Sequence, residues 1–339
     1  MNENRNIYVC PETKEPLTCR VVRAKGTEVL RGSLERRDGV SYPIDGGVPV
    51  FVKPESLADA AREAQAYYEG VAAGYDDVAN LSFRIQHVDE DAARKGFVSH
   101  LHLTPGSRVL ELACGTGRDS VNIAAALGEG GEFYLQDISP SMLDKCRAKL
   151  AGVAVPVEFS VGNATALAFP DRYFDAVFSF GGLSVFGDIG QSLKEICRVA
   201  KVGAHVVVGD ESMAPWLVDT HYGRVLLNNN PLFRAELPLR HMPVEAREVT
   251  IKWVVGGVYY LIDFTVGEGE PAADFDLEIP GARGGTLHTR YQGRLEGVSP
   301  EVRALAHAAR QKKGVSMHRW LDDVVRRAAE EDLGPDRDG

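Results

Sequence analysis

The chain of 339 residues has few cysteines, no long apolar run and no surplus of basic residues. Five cysteines, an odd number without regular spacing, do not make the framework of a disulfide-stapled protein. No segment approaches the ~20 consecutive apolar residues that a transmembrane helix needs, and the beginning, MNENRNIYVC, lacks the pattern of a signal peptide. A net charge of −10 argues against a protein that wraps nucleic acid. We therefore expect a cytoplasmic protein with neither a membrane segment nor a nucleic-acid partner.

The patterns along the chain predict three domains joined by short linkers. Residues 1–55 contain short β-like runs and turns, and residues 56–270 alternate strand and helix patterns. A linker at 271–285 precedes a last domain at 286–334, which has a strand, helix, turn, helix pattern. Alternating strands and helices predict an α/β fold with a mostly parallel sheet covered by helices on both faces. The runs EVTIKWVV and VYYLIDFTV, separated by two glycines, predict a terminal antiparallel hairpin.

The stretch VLELACGTGRDS, at 109–120, predicts an apolar strand, a glycine turn and a helix. Such a turn lets the backbone come close to a nucleotide-like ligand, with helix N–H groups facing it. Gly115 and Gly117 match two positions of the dinucleotide fingerprint, but Ser120 occupies the third glycine position. Glu111 at the strand end would repel a pyrophosphate and would suit a ligand with ammonium and sulfonium charge. The pattern therefore favours S-adenosylmethionine over a dinucleotide.

Polar residues after the next three predicted strands are further candidates for contacts with the cofactor. Asp137 can accept hydrogen bonds from two ribose hydroxyls, although it could also cap the following helix. Asn163 and Ala164 can meet an adenine edge, and Asn163 could equally be a turn residue. Ser179 and Phe180 would line the side nearest the transferred methyl group, with a purely structural role for Phe180 as the alternative.

Four motifs occur in one order along about residues 67–266: ELACGTGRD, LQDISPSML, VGNATALAFPDRYFDAVFSF and LKEICRVAKVGAHVVVGD. Together they resemble the class I S-adenosylmethionine-dependent methyltransferases, in particular the small-molecule type grouped with ubiquinone and menaquinone methyltransferases. The resemblance implies a Rossmann-like seven-stranded sheet, S-adenosylmethionine as cofactor and a small-molecule methyl acceptor. It also assigns Ile138 and Met142, in the second motif, to the cofactor site. Ala113 departs from the pattern, since glycine is commoner there.

Candidates for catalysis lie in segments expected to cover the site. Tyr75, in AYYEGVAAGYDD, could touch the methionine end of the cofactor or the acceptor. His87 could act as a general base, although a solvated surface histidine is the simpler interpretation. Asp210 follows the fifth predicted strand, and His221 lies in the lid-like segment MAPWLVDTHYGRVLLNNNPLFRAELPL. Direct in-line transfer to N, O or C needs alignment and exclusion of water more than a fixed catalytic residue.

The first domain resembles the Trm112-like, zinc-ribbon-like domain that precedes some methyltransferases. The resemblance rests on VCPETKEPL followed by SYPIDGGVPVF. A structural zinc ion needs four thiolate or imidazole ligands, and Thr13 stands where a second cysteine would follow Cys10. We therefore expect this domain without a metal, with a role in packing against the catalytic domain or in closing the pocket.

The last domain, TRYQGRLEGVSPEVRALAHAARQKKGVSMHRWLDDVVRRAAEE, resembles a ribbon-helix-helix unit. The resemblance implies a strand at 289–295 that pairs with its twin across a two-fold axis and can read DNA. Acidic residues in the second helix favour a homodimer or a packing role, and a helical hairpin docked on its own chain is an equal alternative. A cofactor-binding regulator that uses this tail on DNA is the rival function. A protein or RNA methyltransferase loses weight because SFGG, not Asn-Pro-Pro-Tyr, ends the fourth strand.

Overall fold

The computed structural model describes residues 1–3, 6–52, 57–128, 130–280, 285–295 and 297–334. The chain divides into two compact units, Met1–Pro271 and Ala272–Gly339. The first unit contains both sheets, so the sequences assigned to the first two predicted domains fold within one unit. Among the helices in the described ranges, none combines the length and apolar character needed to cross a membrane.

Two sheets are formed by the strands of the first unit. The smaller sheet is four-stranded, with the order β1 (Thr18–Lys25), β2 (Glu28–Glu35), β3 (Ser41–Asp45) and β4 (Val48–Pro49). The larger has the order β10-β11-β9-β8-β5-β6-β7. Its strands are β5 (Arg108–Leu112), β6 (Glu132–Asp137), β7 (Val157–Val161), β8 (Phe174–Phe180), β9 (Ala200–Glu211), β10 (Ala246–Val254) and β11 (Tyr259–Val266).

Helices connect the strands of the larger sheet and cover it. Those of the first unit are α1 (Asp59–Val71), α2 (Tyr75–Ala79), α3 (Leu81–Ile85), α4 (Glu90–Ser99), α5 (Ser120–Leu127), α6 (Pro140–Lys149), α7 (Ile189–Val199) and α8 (His221–Asn229). Those of the second unit are α9 (Leu287–Gln292), α10 (Pro300–Lys313) and α11 (Met317–Leu333).

The larger sheet confirms the predicted α/β architecture with a terminal reversed hairpin. Strands β5 to β9 pair in parallel, whereas β11 pairs antiparallel with both β9 and β10. The chain enters at β5, moves outward to β7 and returns on the other side of β5 as β8. Such a reversal of strand order leaves a crevice at the carboxyl ends of the strands, where α/β proteins bind ligands.

The central strands read as continuous apolar runs because both faces of the sheet are covered. Successive residues alternate between the faces: Leu110 and Val177 belong to one hydrophobic cluster, and Val109 and Ala176 to the other. All four side chains are fully or almost fully buried. The strand ends are therefore held rigidly, which fixes the position of the residues that follow them.

The four-stranded sheet attaches to the β7 edge of the larger sheet. The Phe51 N–H donates to the Val161 carbonyl at 2.8 Å, and the Val9 N–H donates to the Ala168 carbonyl at 3.0 Å. Lys14 adds an ion pair to Glu195 of α7, with Nζ and Oε2 2.7 Å apart. This attachment covers an edge strand that would otherwise expose its hydrogen-bonding groups.

Two local predictions are wrong. The run QSLKEICRVAKVG, at 191–203, predicts a helix that stops at Gly203, but α7 ends at Val199, and β9 runs through Gly203, whose φ is +84°. The predicted strand at 289–295 is mostly helix α9, because Thr286 forms a capping box with Thr289. The tail is thus three helices over its described residues, not a β-α-α unit, and Ser299 and Ser316 are the N-caps of α10 and α11.

The buried carboxylate of Glu195 provides a test of the contact between the two sheets. It accepts hydrogen bonds from Lys14 and from the Leu167 N–H, both at 2.7 Å, and from Arg198. We expect Glu195→Ala to lower the free energy of unfolding by about 3 kcal/mol, because it leaves buried donors without a partner. Urea unfolding measures this, with Asp171→Ala as the control, since that exposed partner of Arg198 should cost less than about 1 kcal/mol. Equal losses of unfolding free energy in Glu195→Ala and Asp171→Ala would contradict this stabilising role of Glu195.

Candidate functional site

A cavity lies at the carboxyl edge of the larger sheet. Its floor comes from the segments that follow β5, β6, β7 and β8, and α1, α2 and α4 cover it with Tyr68, Tyr75 and Arg94. The cavity occupies the crevice that the strand order creates.

The glycine turn after β5 uses its two glycines for different purposes. Gly115 has a φ of +54°, and a Cβ built there would have no atom within 4 Å, so its backbone is open to the cavity. Gly117 has a φ of +85°, and a Cβ there would lie 2.9 Å from the Cys146 sulfur. Gly117 therefore lets α6 pack against the turn and does not line the cavity.

Asp137 lies in the cavity wall at the end of β6. Its Oδ2 accepts the Gly115 N–H at 2.8 Å, and its Oδ1 accepts the Ser139 N–H at 2.9 Å. Burial raises the pKa of Asp137 to about 6, although these backbone hydrogen bonds act in the opposite direction. The side chain is therefore a buried carboxylate at neutral pH. It therefore holds the backbone of Ser139, the N-cap of α6, and also forms part of the cavity wall.

Most of the predicted cofactor residues come together here. Asn163 both lines the cavity and accepts the Thr165 N–H at 3.1 Å through Oδ1, so it is a turn residue at the cavity wall. The predicted residues that line the cavity are Tyr75, Ala113, Gly115, Asp137, Ile138, Met142, Asn163, Ala164 and Phe180. Their roles toward a ligand stay predictions.

Other predicted residues lie outside the cavity lining. Glu111 is buried in β5, where desolvation raises its pKa well above the ordinary value, and its role toward a ligand stays a prediction. No described group donates to its Oε2. Ser179 is fully buried, and His87 and His221 are exposed. Asp210 is buried and accepts the Ser184 N–H at 2.6 Å. None of these five residues lines the cavity.

Sequence reasoning missed a buried charge network at the cavity. Arg94 of α4 forms ion pairs with Asp119 and with Glu90, the latter at 2.6 Å, and Arg118 also pairs with Glu90. The Arg94 guanidinium lies over the Phe180 ring, 5.6 Å from its centroid. Arg118 and Asp119 directly follow the glycine turn, and this position in the sequence could have identified them as site residues. Arg94 belongs to no motif, and only the fold brings it to the site.

Comparison with known proteins places this geometry in a family. The model of the ubiE/COQ5 methyltransferase family matches residues 57–221. The ubiquinone/menaquinone biosynthesis C-methyltransferase UbiE of Xanthomonas campestris is 35% identical over 173 residues, which cover 49% of this chain and 67% of that protein. The chain belongs to the ubiE/COQ5 methyltransferase family.

One further relative and one solved structure are similar to parts of the chain. The UbiE protein of Francisella philomiragia is 33% identical over 150 residues, 43% of this chain, and the chain spans 58% of that relative's length. A SAM-dependent methyltransferase of Aquifex aeolicus is structurally similar, with 18% identity and a TM-score of 0.41, over 58% of this chain and 98% of that one. The family match ends near the start of α8, before the terminal hairpin.

Ala113 provides a test of the turn geometry. It has a left-handed φ of +52°, which costs an alanine about 1 kcal/mol relative to glycine. We expect Ala113→Gly to raise the free energy of unfolding, or leave it unchanged, within about 1 kcal/mol. The matched control is Gly115→Ala, at φ +54° with open space around it, which should lower stability by about 1 kcal/mol. Thermal unfolding compares them, and a clear loss in Ala113→Gly would refute left-handed strain at this position.

Proposed function

We propose that the chain binds S-adenosylmethionine in this cavity and transfers its methyl group to a small-molecule acceptor. The observation that carries the proposal is the meeting of Gly115, Asp137 and Asn163, from three successive strand ends, in one cavity covered by tyrosines. Membership of the ubiE/COQ5 family supports it. The names of the Xanthomonas and Francisella relatives as C-methyltransferases support carbon as the methylated atom.

The residues in the cavity fit the parts of this cofactor. The Asp137 carboxylate suits the ribose hydroxyls, and the apolar side chains of Ile138 and Met142 suit an adenine face beside Asn163. Arg118 Nη1 is buried and has no hydrogen-bond partner among the described residues. An unpaired buried donor is costly, so we assign it to the methionine carboxylate.

Bound S-adenosylmethionine supplies a methyl group already activated by its sulfonium charge. The protein then has to hold the acceptor in line and exclude water. Tyr68 and Tyr75 cover the cavity, and Phe180 forms part of its wall. Because the cofactor supplies the activation and the cavity supplies alignment, this proposal does not require the exposed His87 or His221 at the cavity.

The other two parts of the chain have supporting roles in this proposal. Among the described residues, none before Ala61 lines the cavity, so we assign the four-stranded sheet to stabilisation of the β7 edge and not to closure of the pocket. DNA binding by the tail, the alternative function, requires a strand at 289–295, but helix α9 occupies most of that range. Leu305 and Val325 are exposed apolar residues on the tail helices, and they support association of two copies through the tail.

Calorimetric titration tests the cofactor. We expect S-adenosylmethionine and S-adenosylhomocysteine to bind and NADH not to bind. Asp137→Ala should weaken binding by roughly 1–3 kcal/mol, because the ribose hydroxyls lose their acceptor. The control is Asp144→Ala on the exposed face of α6, which should bind as the wild type does. Binding of NADH, or of neither sulfur compound, would remove the proposal.

The raised pKa of Asp137 predicts a pH dependence of cofactor binding. Above about pH 6 the side chain is a carboxylate that accepts from ribose, and below it the side chain is protonated. We expect the affinity for S-adenosylhomocysteine to fall as the pH is lowered through about 6. Asp137→Asn should bind more weakly but without this acid limb. The same acid limb in Asp137→Asn would show that another group causes it.

A further inference from the structure

A second concave surface, which we call the β9 groove, lies beyond the end of strand β9. Its lining comes from Ile189 at the start of α7, from the segment 212–241 and from Trp253 of β10. Among the described residues, none of those that line the β9 groove also lines the cavity. The groove is therefore a separate site, and an inference about it is independent of the proposed function.

Contacts with the sheet hold the wall of the β9 groove in place. The Met213 N–H donates to the Phe233 carbonyl at 2.8 Å, and the Ser212 hydroxyl donates to the Ala235 carbonyl at 2.7 Å. The Phe233 ring also packs against the Tyr259 ring of β11, with the centroids 6.2 Å apart. Because the fold itself positions this wall, a ligand that binds in the groove has little of it to order.

The lining of the β9 groove is mainly apolar. Val218 and Leu239 line it and are exposed to solvent. Single exposed apolar residues are ordinary, whereas a contiguous apolar surface in a concave setting marks a place where another apolar group binds. The larger apolar side chains of the lining also include Ile189, Met213, Leu227, Phe233, Leu237 and Trp253.

Positive charge accompanies this apolar lining. Arg234 and Arg240 both line the β9 groove, and no carboxylate among the described residues pairs with either guanidinium. Glu236 is the one acidic residue in the described lining, and His241 adds a side chain that is neutral or positive. Since the chain has 48 acidic and 38 basic residues, two unpaired arginines beside one groove run against its overall charge. Arginine binds a carboxylate through two parallel N–H donors.

We propose that the β9 groove binds a long-chain carboxylate, with the hydrocarbon chain on the apolar lining and the carboxylate at Arg234 and Arg240. Each methylene group that the lining removes from water adds affinity. The two guanidinium groups give the bound molecule its orientation. An uncharged chain would leave both arginines unpaired, and a small anion would leave the apolar lining in water. The ligand class therefore needs both parts.

Calorimetric titration of the full chain tests this site, with dodecanoate as the probe below the concentration at which it forms micelles. At neutral pH dodecanoate is an anion, and we expect it to bind. Dodecanol should bind about 10-fold more weakly or worse because it has no charge for the arginines. Acetate should not bind because it lacks the chain. S-adenosylhomocysteine should not compete with dodecanoate, because the groove and the cavity have separate linings.

Variants that remove one charge locate the carboxylate. Arg234→Gln and Arg240→Gln should each weaken dodecanoate binding about 3-fold or more and leave dodecanol binding unchanged. Glu236→Gln removes a like charge and should strengthen dodecanoate binding about 2-fold. The matched control is Arg224→Gln on α8, an exposed arginine outside the groove, which should alter neither ligand.

A fourth variant locates the hydrocarbon chain. Leu239 is exposed, so Leu239→Ser removes an apolar contact of the groove without opening the core. We expect it to weaken the binding of dodecanoate and of dodecanol by a similar factor, about 3-fold. Thermal unfolding of each variant shows that it is folded. Loss of dodecanoate binding alone in Leu239→Ser would contradict a shared site for the two chains.

Four outcomes overturn the inference. The first is no binding of dodecanoate, including the case in which the chain binds vesicles of phosphatidylglycerol, since the surface would then dock on a bilayer. The second is dodecanol binding as tight as that of dodecanoate. The third is equal dodecanoate affinity in Arg234→Gln, Arg240→Gln and Arg224→Gln, and the fourth is competition with S-adenosylhomocysteine. Failure of S-adenosylhomocysteine to bind would instead refute the proposed function and leave this inference intact.

Discussion

Burial of carboxyl groups at one edge of the larger sheet constrains the chemistry of the whole site, because an isolated buried charge is very unfavourable. The structure meets this constraint with different partners for each carboxyl group. Asp119 pairs with Arg94, Asp137 accepts the N–H groups of Gly115 and Ser139, and Asp210 accepts those of Ser184 and Glu211. One sheet edge therefore combines a carboxyl group paired with a guanidinium and two carboxyl groups held by backbone N–H groups.

The architecture and the cofactor half of the cavity could be predicted because their signals are local. The run FDAVFSF, which is short, apolar and followed by glycines, predicts a strand with the bounds that β8 has in the structure. The hairpin of β10 and β11 follows from two apolar runs around Gly256 and Gly257. Gly115 and Asp137 were found because each follows directly after a strand.

Residues that depend on long-range packing could not be found in this way. Arg94 lies on α4 within an ordinary charged helix, and only its pairing with Asp119 brings it to the cavity. The expected role of Glu111 stays a prediction, because strand alternation alone does not tell which side chain faces a ligand. The strand predicted in the tail is wrong because a local signal was missed. The alternating polar pattern suggested a strand, whereas the cap at Thr286 favours a helix.

The two halves of the site also differ in how they are encoded along the chain. The family match covers residues 57–221, which contain the glycine turn, Asp137 and Asn163. Tyr259, which lies opposite Glu211, comes from the hairpin beyond that match. Because the hairpin only adds to the edge of the parallel sheet, its residues can change without moving β5 or β6. Substitutions in the hairpin can thus change β10 and β11 while Gly115 and Asp137 keep their positions in the cavity.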